Sequence, residues 1–170
     1  MKTIKLTQGK FALVDDKDFE WLNQYKWCYV RTKQGRGYVR THEHKTNKGL
    51  FLHRVIMGNP IDKEVDHVNG DALDNRRKNL RIVTRSQNNM NRIKIRNKHG
   101  FKGIYFQNRR YKKKSNRKTI FNHWKSSISF NGKRIKLGSF STKEQAAHAY
   151  NLAATKYFGQ FARLNLIPQL

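Results

Sequence analysis

Between two short runs suited to β-strands, Glu64 to Val68 and Leu80 to Val83, this chain inserts a loop crowded with turn formers. It contains Asn69-Gly70-Asp71 and Asp74-Asn75, so the two runs are forced to separate and return. Directly after the second run, Thr84-Arg85-Ser86-Gln87 has the spacing of a capping box. A threonine hydroxyl and a glutamine amide three residues apart each satisfy a backbone N–H at a helix start. The segment therefore predicts strand, loop, strand and helix in immediate succession, with Asn88 in the first helical turn.

Chemistry-bearing residues sit at the joints of that layout. Asp66 and His67 close the first strand, Asn79 follows twelve residues after His67, and Asn88 twenty-one after it. Hydrolysis of a phosphodiester needs a base to activate water and a divalent ion to neutralise charge developing on the phosphate. His67 suits the base, while Asp66 and Asn88 offer oxygen ligands of the kind Mg²⁺ accepts. The charge balance agrees. Lys plus Arg number 37 against 11 acidic residues, a formal +26, which calls for a polyanionic partner because each phosphate contact releases condensed counterions.

The stretch from Leu52 to Asn91 resembles an HNH nuclease module in the variant whose third letter is Asn. The matching pieces are Leu52-His53-Arg54, Val65-Asp66-His67, Lys78-Asn79-Leu80-Arg81 and Gln87-Asn88-Asn89. The resemblance implies a ββα-metal fold in which His67 is the general base. It also implies that Asp66 and Asn88 bind one divalent ion, Mg²⁺ or Mn²⁺, and that Asn79 fixes the loop so that His67 points correctly. His53 and Arg54 suit phosphate-binding or supporting roles, Arg54 being the candidate DNA contact; a packed, hydrogen-bonded histidine is the alternative for His53. Asp71, Asp74 and Asn75 read as loop residues.

Ten Phe, seven Tyr and three Trp permit real cores despite the charge, which argues against disorder throughout. The single cysteine, Cys28, excludes an intrachain disulfide and a Cys-rich zinc site, and in Trp27-Cys28-Tyr29-Val30 it reads as a small buried residue. There is no signal-peptide pattern and no apolar run long enough to span a bilayer, so a cytoplasmic setting, in a bacterial host cell, and no membrane partner are expected.

Ahead of the nuclease-like stretch, Lys2 to Leu6 and Lys10 to Val14 read as strands joined at Gln8-Gly9. Asp15-Asp16 is positioned to cap a helix over Asp18 to Tyr25, and Trp27 to Arg31 with Gly37 to Thr41 suggests a hairpin across Lys33-Gln34-Gly35. This region attaches to the nuclease module, giving residues 1–92 as one unit with its ββα core at about 62–92. A basic linker over 93–99 follows, in a stretch with no acid between Asp74 and Glu144.

From Gly100 onward the pattern changes. Trp124, Ser126, Ile128 and Phe130 alternate with Lys125, Ser127, Ser129 and Asn131, the period of a strand with one mostly apolar face. Asn131-Gly132 signals a hairpin, and Arg134 to Leu137 continues the alternation. Ser141-Thr142-Lys143-Glu144 is another capping box, before a helix with Ala146, Ala149, Tyr150, Ala153 and Tyr157 on one face and Gly159 as terminator.

This second pattern resembles the AP2 DNA-binding domain over residues 100–165. The pieces are Lys102-Gly103-Ile104-Tyr105, Trp124 to Phe130, Lys136-Leu137-Gly138-Ser139-Phe140, Ala146 to Ala154 and Ala162-Arg163-Leu164-Asn165. The resemblance implies a three-stranded sheet lying in the major groove, with Lys102, Tyr105, Gln107, Lys125, Ser127, Ser129, Arg134 and Lys136 toward DNA. Several of these positions differ from the plant domains, so the plant target does not carry over. An insertion, Arg109 to Lys118, has seven positive charges in ten residues and reads as a flexible phosphate-binding loop.

The sequence thus predicts an α+β chain: an N-terminal ββα-metal nuclease module with a small mixed α/β region, then an AP2-type antiparallel sheet packed on one helix. Its expected activity is metal-dependent, site-specific cleavage of double-stranded DNA in the manner of phage and bacterial HNH homing endonucleases, by a monomer with no obligate protein partner. The alternative is a non-catalytic DNA-binding regulator that keeps the HNH scaffold. An RNA-binding protein is opposed by the sheet's lack of paired exposed aromatics.

Overall fold

The computed structural model describes residues 1–32, 37–42, 49–92, 99–112 and 118–168, with the backbone alone at 42, 109–112 and 118–121. The chain is mixed α/β and divides into two compact units, Met1–Asn89 and Met90–Leu170. No helix among the described residues is long and apolar enough to cross a membrane.

The first unit opens with an antiparallel pair, β1 (Lys2–Lys5) and β2 (Phe11–Val14), joined by a tight turn over Thr7–Gly9. Helix α1 (Asp16–Leu22) follows. A three-stranded antiparallel sheet comes next, β3 (Cys28–Arg31), β4 (Gly37–His42) and β5 (Gly49–Phe51), leading straight into the short helix α2 (Leu52–Ile56). The last parts are the antiparallel pair β6 (Glu64–His67) and β7 (Leu80–Val83) and helix α3 (Arg85–Asn91), whose last two residues are counted with the second unit. Alternate residues of these strands, Ile4, Ala12, Val14 and Val39, join Leu22, Trp27, Leu52, Ile56, Val65 and Leu80 in one buried cluster. The predicted hairpin turn at Lys33-Gln34-Gly35 lies outside the described residues.

Neither β5 nor α2 was legible beforehand. Gly49–Phe51 has too few residues to show a period, and α2 gains its place from burying Leu52 and Ile56 rather than from a cap. The helix expected over Asp18 to Tyr25 runs instead over Asp16–Leu22, and Asp15 sits at its N-cap without capping it. The Asp15 carboxylate is drawn to the Arg77 backbone N–H, at 2.8 Å. A guanidinium competes for acids too. Arg77 Nε and Nη2 donate to the two oxygens of buried Asp18 at 2.8 and 2.9 Å.

In the second unit β8 (Ile104–Lys112), β9 (Lys118–Phe130) and β10 (Lys133–Phe140) form an antiparallel sheet in the order β10-β9-β8. Helix α4 (Lys143–Phe158) covers one face. Trp124, Ile128 and Phe130 pack with Ile104, Ile135, Leu137 and Phe140 against the alanine-rich helix. Gly103, at φ +79°, is required there, because a Cβ would overlap the Tyr150 ring. Asn151 and Asn165 then lock the tail: Asn165 N–H donates to Asn151 Oδ1 at 2.7 Å, and Lys102 N–H to Asn165 Oδ1 at 2.6 Å.

Three sequence readings shift here. The capping box forms one residue later than Ser141 and Glu144, with Thr142 as N-cap and Gln145 as its partner. Two overlapping boxes are written in the sequence, and the folded chain forms the second. The buried helix stripe is Ala146, Ala147, Tyr150, Ala153, Ala154 and Phe158; Ala149 and Tyr157 are half-buried at its margin. The basic insertion read as a loop is partly strand, since Arg109 to Lys112 extend β8 and pair with residues 118–121 of β9. Residues 113–117 of that tract, and residues 93–98 of the predicted linker, lie outside the described residues.

The Asp18–Arg77 pair supports a stability test. Arg77 holds the Asp18 carboxyl below its ordinary value of 3.8, first through hydrogen bonding and then, against burial, through its charge. Asp18→Asn should cost about 1–3 kcal/mol at neutral pH, read as a lower urea midpoint. A lowered folded-state pKa contributes stability that is full above the unfolded value and fades as pH falls through the folded one. The two proteins should therefore converge in acid; a gap undiminished at about pH 2 would show another origin for it.

Candidate active site

The loop between β6 and β7 is built around the Asn79 side chain. Its Nδ2 donates to the Asp74 carbonyl at 2.7 Å and to Asn69 Oδ1 at 3.0 Å, while its Oδ1 accepts from the Asn69 backbone N–H at 3.0 Å. The Val68 N–H donates to the Asn79 carbonyl at 2.8 Å, closing the loop just beyond His67. From outside, β2 adds two backbone bonds, Leu13 N–H to the Leu73 carbonyl and Asn75 N–H to the Leu13 carbonyl, both 2.8 Å. Asp74, 3% exposed, takes the Arg76 guanidinium on both oxygens at 2.7 and 2.6 Å.

His67 is buried at the end of β6. Its Nε2 lies 3.2 Å from Asn75 Oδ1. Asn75 Nδ2 donates to the Ala72 carbonyl at 3.1 Å, which turns the amide oxygen toward the imidazole. An amide oxygen only accepts, so Nε2 is the protonated nitrogen in this arrangement and Nδ1 carries the lone pair. Burial pushes the His67 pKa down, opposed by the Asn75 bond and by Asp66, Asp71 and Asp74. The lowered pKa favours the neutral imidazole, the form that can accept a proton.

His53, on α2, packs edge-on against His67 with ring centroids 5.1 Å apart. Tyr38 and Phe51 flank it at 5.9 and 5.7 Å. Burial, then the neighbouring His67 and Arg54, pushes the His53 pKa down to about 3, so it is a neutral packing partner. Arg54 is turned to its own loop, donating to the Pro60 and Lys63 carbonyls at 2.5 and 3.0 Å. That bonding steadies the approach to β6.

Asp66 faces Arg81, its register partner on β7; Arg81 Nη2 and Nε both reach Asp66 Oδ2, at 2.8 and 3.0 Å. Asn88 on α3 donates from Nδ2 to Glu64 Oε2 at 2.6 Å. The helix start is fixed by the capping box: Gln87 N–H bonds Thr84 Oγ1 at 3.2 Å and Thr84 N–H bonds Gln87 Oε1 at 2.8 Å. Glu64 and Asp66, two apart on one strand, project from the same side of β6. No cluster of three His, Cys, Asp or Glu side chains suited to a metal occurs among the described residues. The donor chemistry nonetheless fits a hard cation. Buried Asp66 already holds a cationic group, and Asn88 adds an amide oxygen. Of the two sequence readings of His53 the structure shows the packed one, and the contacts of Glu64, Asn75 and Arg81 went unread because each depends on a partner on another element.

In the second unit Tyr105, Lys125, Ser127, Ser129, Arg134 and Lys136 share the sheet face away from α4. Arg134 lies over the Tyr105 ring, 5.2 Å from its centroid, and its Nε donates to Ser127 Oγ at 3.1 Å. Lys125 Nζ meets Ser139 Oγ. Gln107 stands on the same face, opposite His123. Lys102 is placed differently, in the turn before β8, with Nζ donating to the Met90 carbonyl at 2.5 Å. Burial, then Arg163, pushes its pKa down to about 8.

A strand ending in Asp-His, a loop pinned by an asparagine, a second strand and a capped helix bearing an asparagine define an HNH-type nuclease motif. The profile of the HNH endonuclease family matches residues 51–90. An uncharacterised HNH endonuclease of Acanthamoeba polyphaga mimivirus is 32% identical over 163 residues, which cover 94% of this chain and 77% of that protein. No solved structure matches the chain. The chain belongs to the HNH endonuclease family, whose members are generally dependent on a divalent metal.

Asn79→Ala removes three side-chain hydrogen bonds, one of them the buried bond to the Asp74 carbonyl. It should lower stability by about 1–3 kcal/mol with an unchanged denaturant slope. Loss of less than about 0.5 kcal/mol, the scale of an ordinary surface substitution, would mean that the loop is held from elsewhere.

Proposed function

We propose that this protein is a site-specific, metal-dependent DNA endonuclease of the homing type, with Mg²⁺ or Mn²⁺ as its ion and His67 as general base. The observation that carries the reading is a buried His67, held by Asn75 and adjacent to Asp66, in a chain of formal charge +26. His67 takes a proton from the water that attacks phosphorus in line, and Asn75 and His53 keep its ring from turning. Asp66 and Asn88 hold the divalent ion. Bound there, the ion supplies charge neutralisation at the phosphate and at the leaving 3′ oxygen. Asn79 acts through the loop, and the surrounding Arg and Lys side chains add charge compensation.

The second unit is proposed to be an AP2-type module that selects and holds the DNA duplex, by a monomer, while the first unit cuts. Its resemblance to that domain and its open face of Tyr105, Lys125, Ser127, Ser129, Arg134 and Lys136 support this division. A basic face without large aliphatic side chains suits a duplex better than a protein core. Arg134, held side-on by Tyr105 and Ser127, suits a guanine edge.

His67→Ala should lower DNA cleavage by about a hundredfold to ten-thousandfold while leaving duplex affinity nearly unchanged. EDTA should stop cleavage by the parent chain, and Asp66→Ala should reproduce that loss. A His67→Ala protein cutting at more than about a tenth of the parent rate would remove His67 from the role of base.

Arg134→Ala should cost roughly 1–3 kcal/mol on the preferred site and relax one base position among duplexes selected from a randomised library. A weakening of equal size on every sequence would instead make Arg134 a phosphate contact.

A further inference from the structure

A carboxylate offers oxygen whichever way it rotates, but a terminal amide offers oxygen on one side and an N–H₂ group on the other. An asparagine serving as a cation ligand therefore needs its rotation fixed, since half a turn would aim two hydrogens at the ion. Asn88 has such a fixing contact. Its Nδ2 donates to Glu64 Oε2 at 2.6 Å. A carboxylate can only accept, so the N–H₂ end is the one facing Glu64 and Oδ1 is turned away from it.

Both ends of this contact stand on rigid supports. Glu64 opens β6 in register with Val83, and both Glu64 and Asn88 are half-buried. The Asn88 backbone N–H bonds the Thr84 carbonyl at 3.0 Å, inside the turn secured by the Thr84–Gln87 box. Asp66 lies two residues beyond Glu64, on the same side of the strand.

We propose that Glu64 is a positioning residue that sets the rotation of the Asn88 amide and so presents its carbonyl oxygen for a divalent ion shared with Asp66. The inference rests on the divalent-ion reading above and adds to it a residue that neither binds DNA nor handles the proton. Because Glu64 works only through the two-sidedness of an amide, its effect disappears when position 88 carries a carboxylate.

A double-mutant cycle read by Mn²⁺ binding tests this, with free Mn²⁺ followed by electron paramagnetic resonance in the full chain without DNA, so that no turnover enters. Glu64→Ala should raise the Mn²⁺ dissociation constant about tenfold, the usual scale for losing a partner of a ligand. In an Asn88→Asp background no N–H₂ end is left to hold and Glu64 faces a like charge, so the same substitution should leave the Mn²⁺ affinity unchanged or improve it. Should Glu64→Ala unfold the chain, Glu64→Gln carries the same cycle, since its amide keeps the shape yet no longer dictates which end of Asn88 faces it. An equal loss in both backgrounds would make Glu64 a ligand or a general negative charge and overturn the proposal, as would unchanged affinity in the Asn88 background. No Mn²⁺ binding by the parent chain would instead overturn the divalent-ion reading itself, and this inference with it.

Discussion

The side-chain amide of Asn79 is the interaction on which the geometry of the first unit depends. With one group it ties Asn69, where the chain leaves β6, to Asp74, in the middle of the loop. A loop of this length between two four-residue strands would otherwise have many conformations, and β6–β7 pairing alone could not choose among them. Fixing it sets Asn75, which in turn sets the tautomer and rotation of His67. The N-terminal strands and helix complete the support from outside, through Leu13 to the loop backbone and through Asp15 and Asp18 to Arg77. The first half of the chain is thus a brace for the loop as well as a core.

Charge is distributed with the same economy. Of only 11 acidic residues, Asp18, Asp66 and Asp74 pair with Arg77, Arg81 and Arg76, Asp15 holds a backbone N–H, and Glu64 holds Asn88. The acids are used to hold the first unit together beside its candidate site. The excess of lysine and arginine is left for a polyanion, because so few carboxylates are available to neutralise it.

Parts of this arrangement were legible in the sequence for identifiable reasons. The Thr84–Gln87 box, the alternation through Trp124 to Phe130 and the Asn131-Gly132 turn are local rules, fulfilled by neighbours in the chain. The second capping box shows where locality stops: Ser141 and Thr142 both qualified by local rules, and the folded chain uses Thr142. Asp15 failed as a helix cap because a distant Arg77 N–H claimed its carboxylate. The basic tract read as a loop partly became strand because pairing with β9 outweighed its charge.

The sequence by itself determined which chemical groups are present and their spacing: Asp66 next to His67, Asn79 in the loop, Asn88 behind a helix cap, and a large cationic excess. Those are properties of composition and of contacts a few residues long. Only the tertiary structure decided which partner each group has. His53 meets His67 from another element, Asn75 turns the imidazole, Arg81 neutralises Asp66, and Glu64 fixes one end of Asn88. Such pairings join residues as far apart as Glu64 and Asn88, and hydrogen-bond direction and burial, which set their consequences, exist only once the strands and helices have packed.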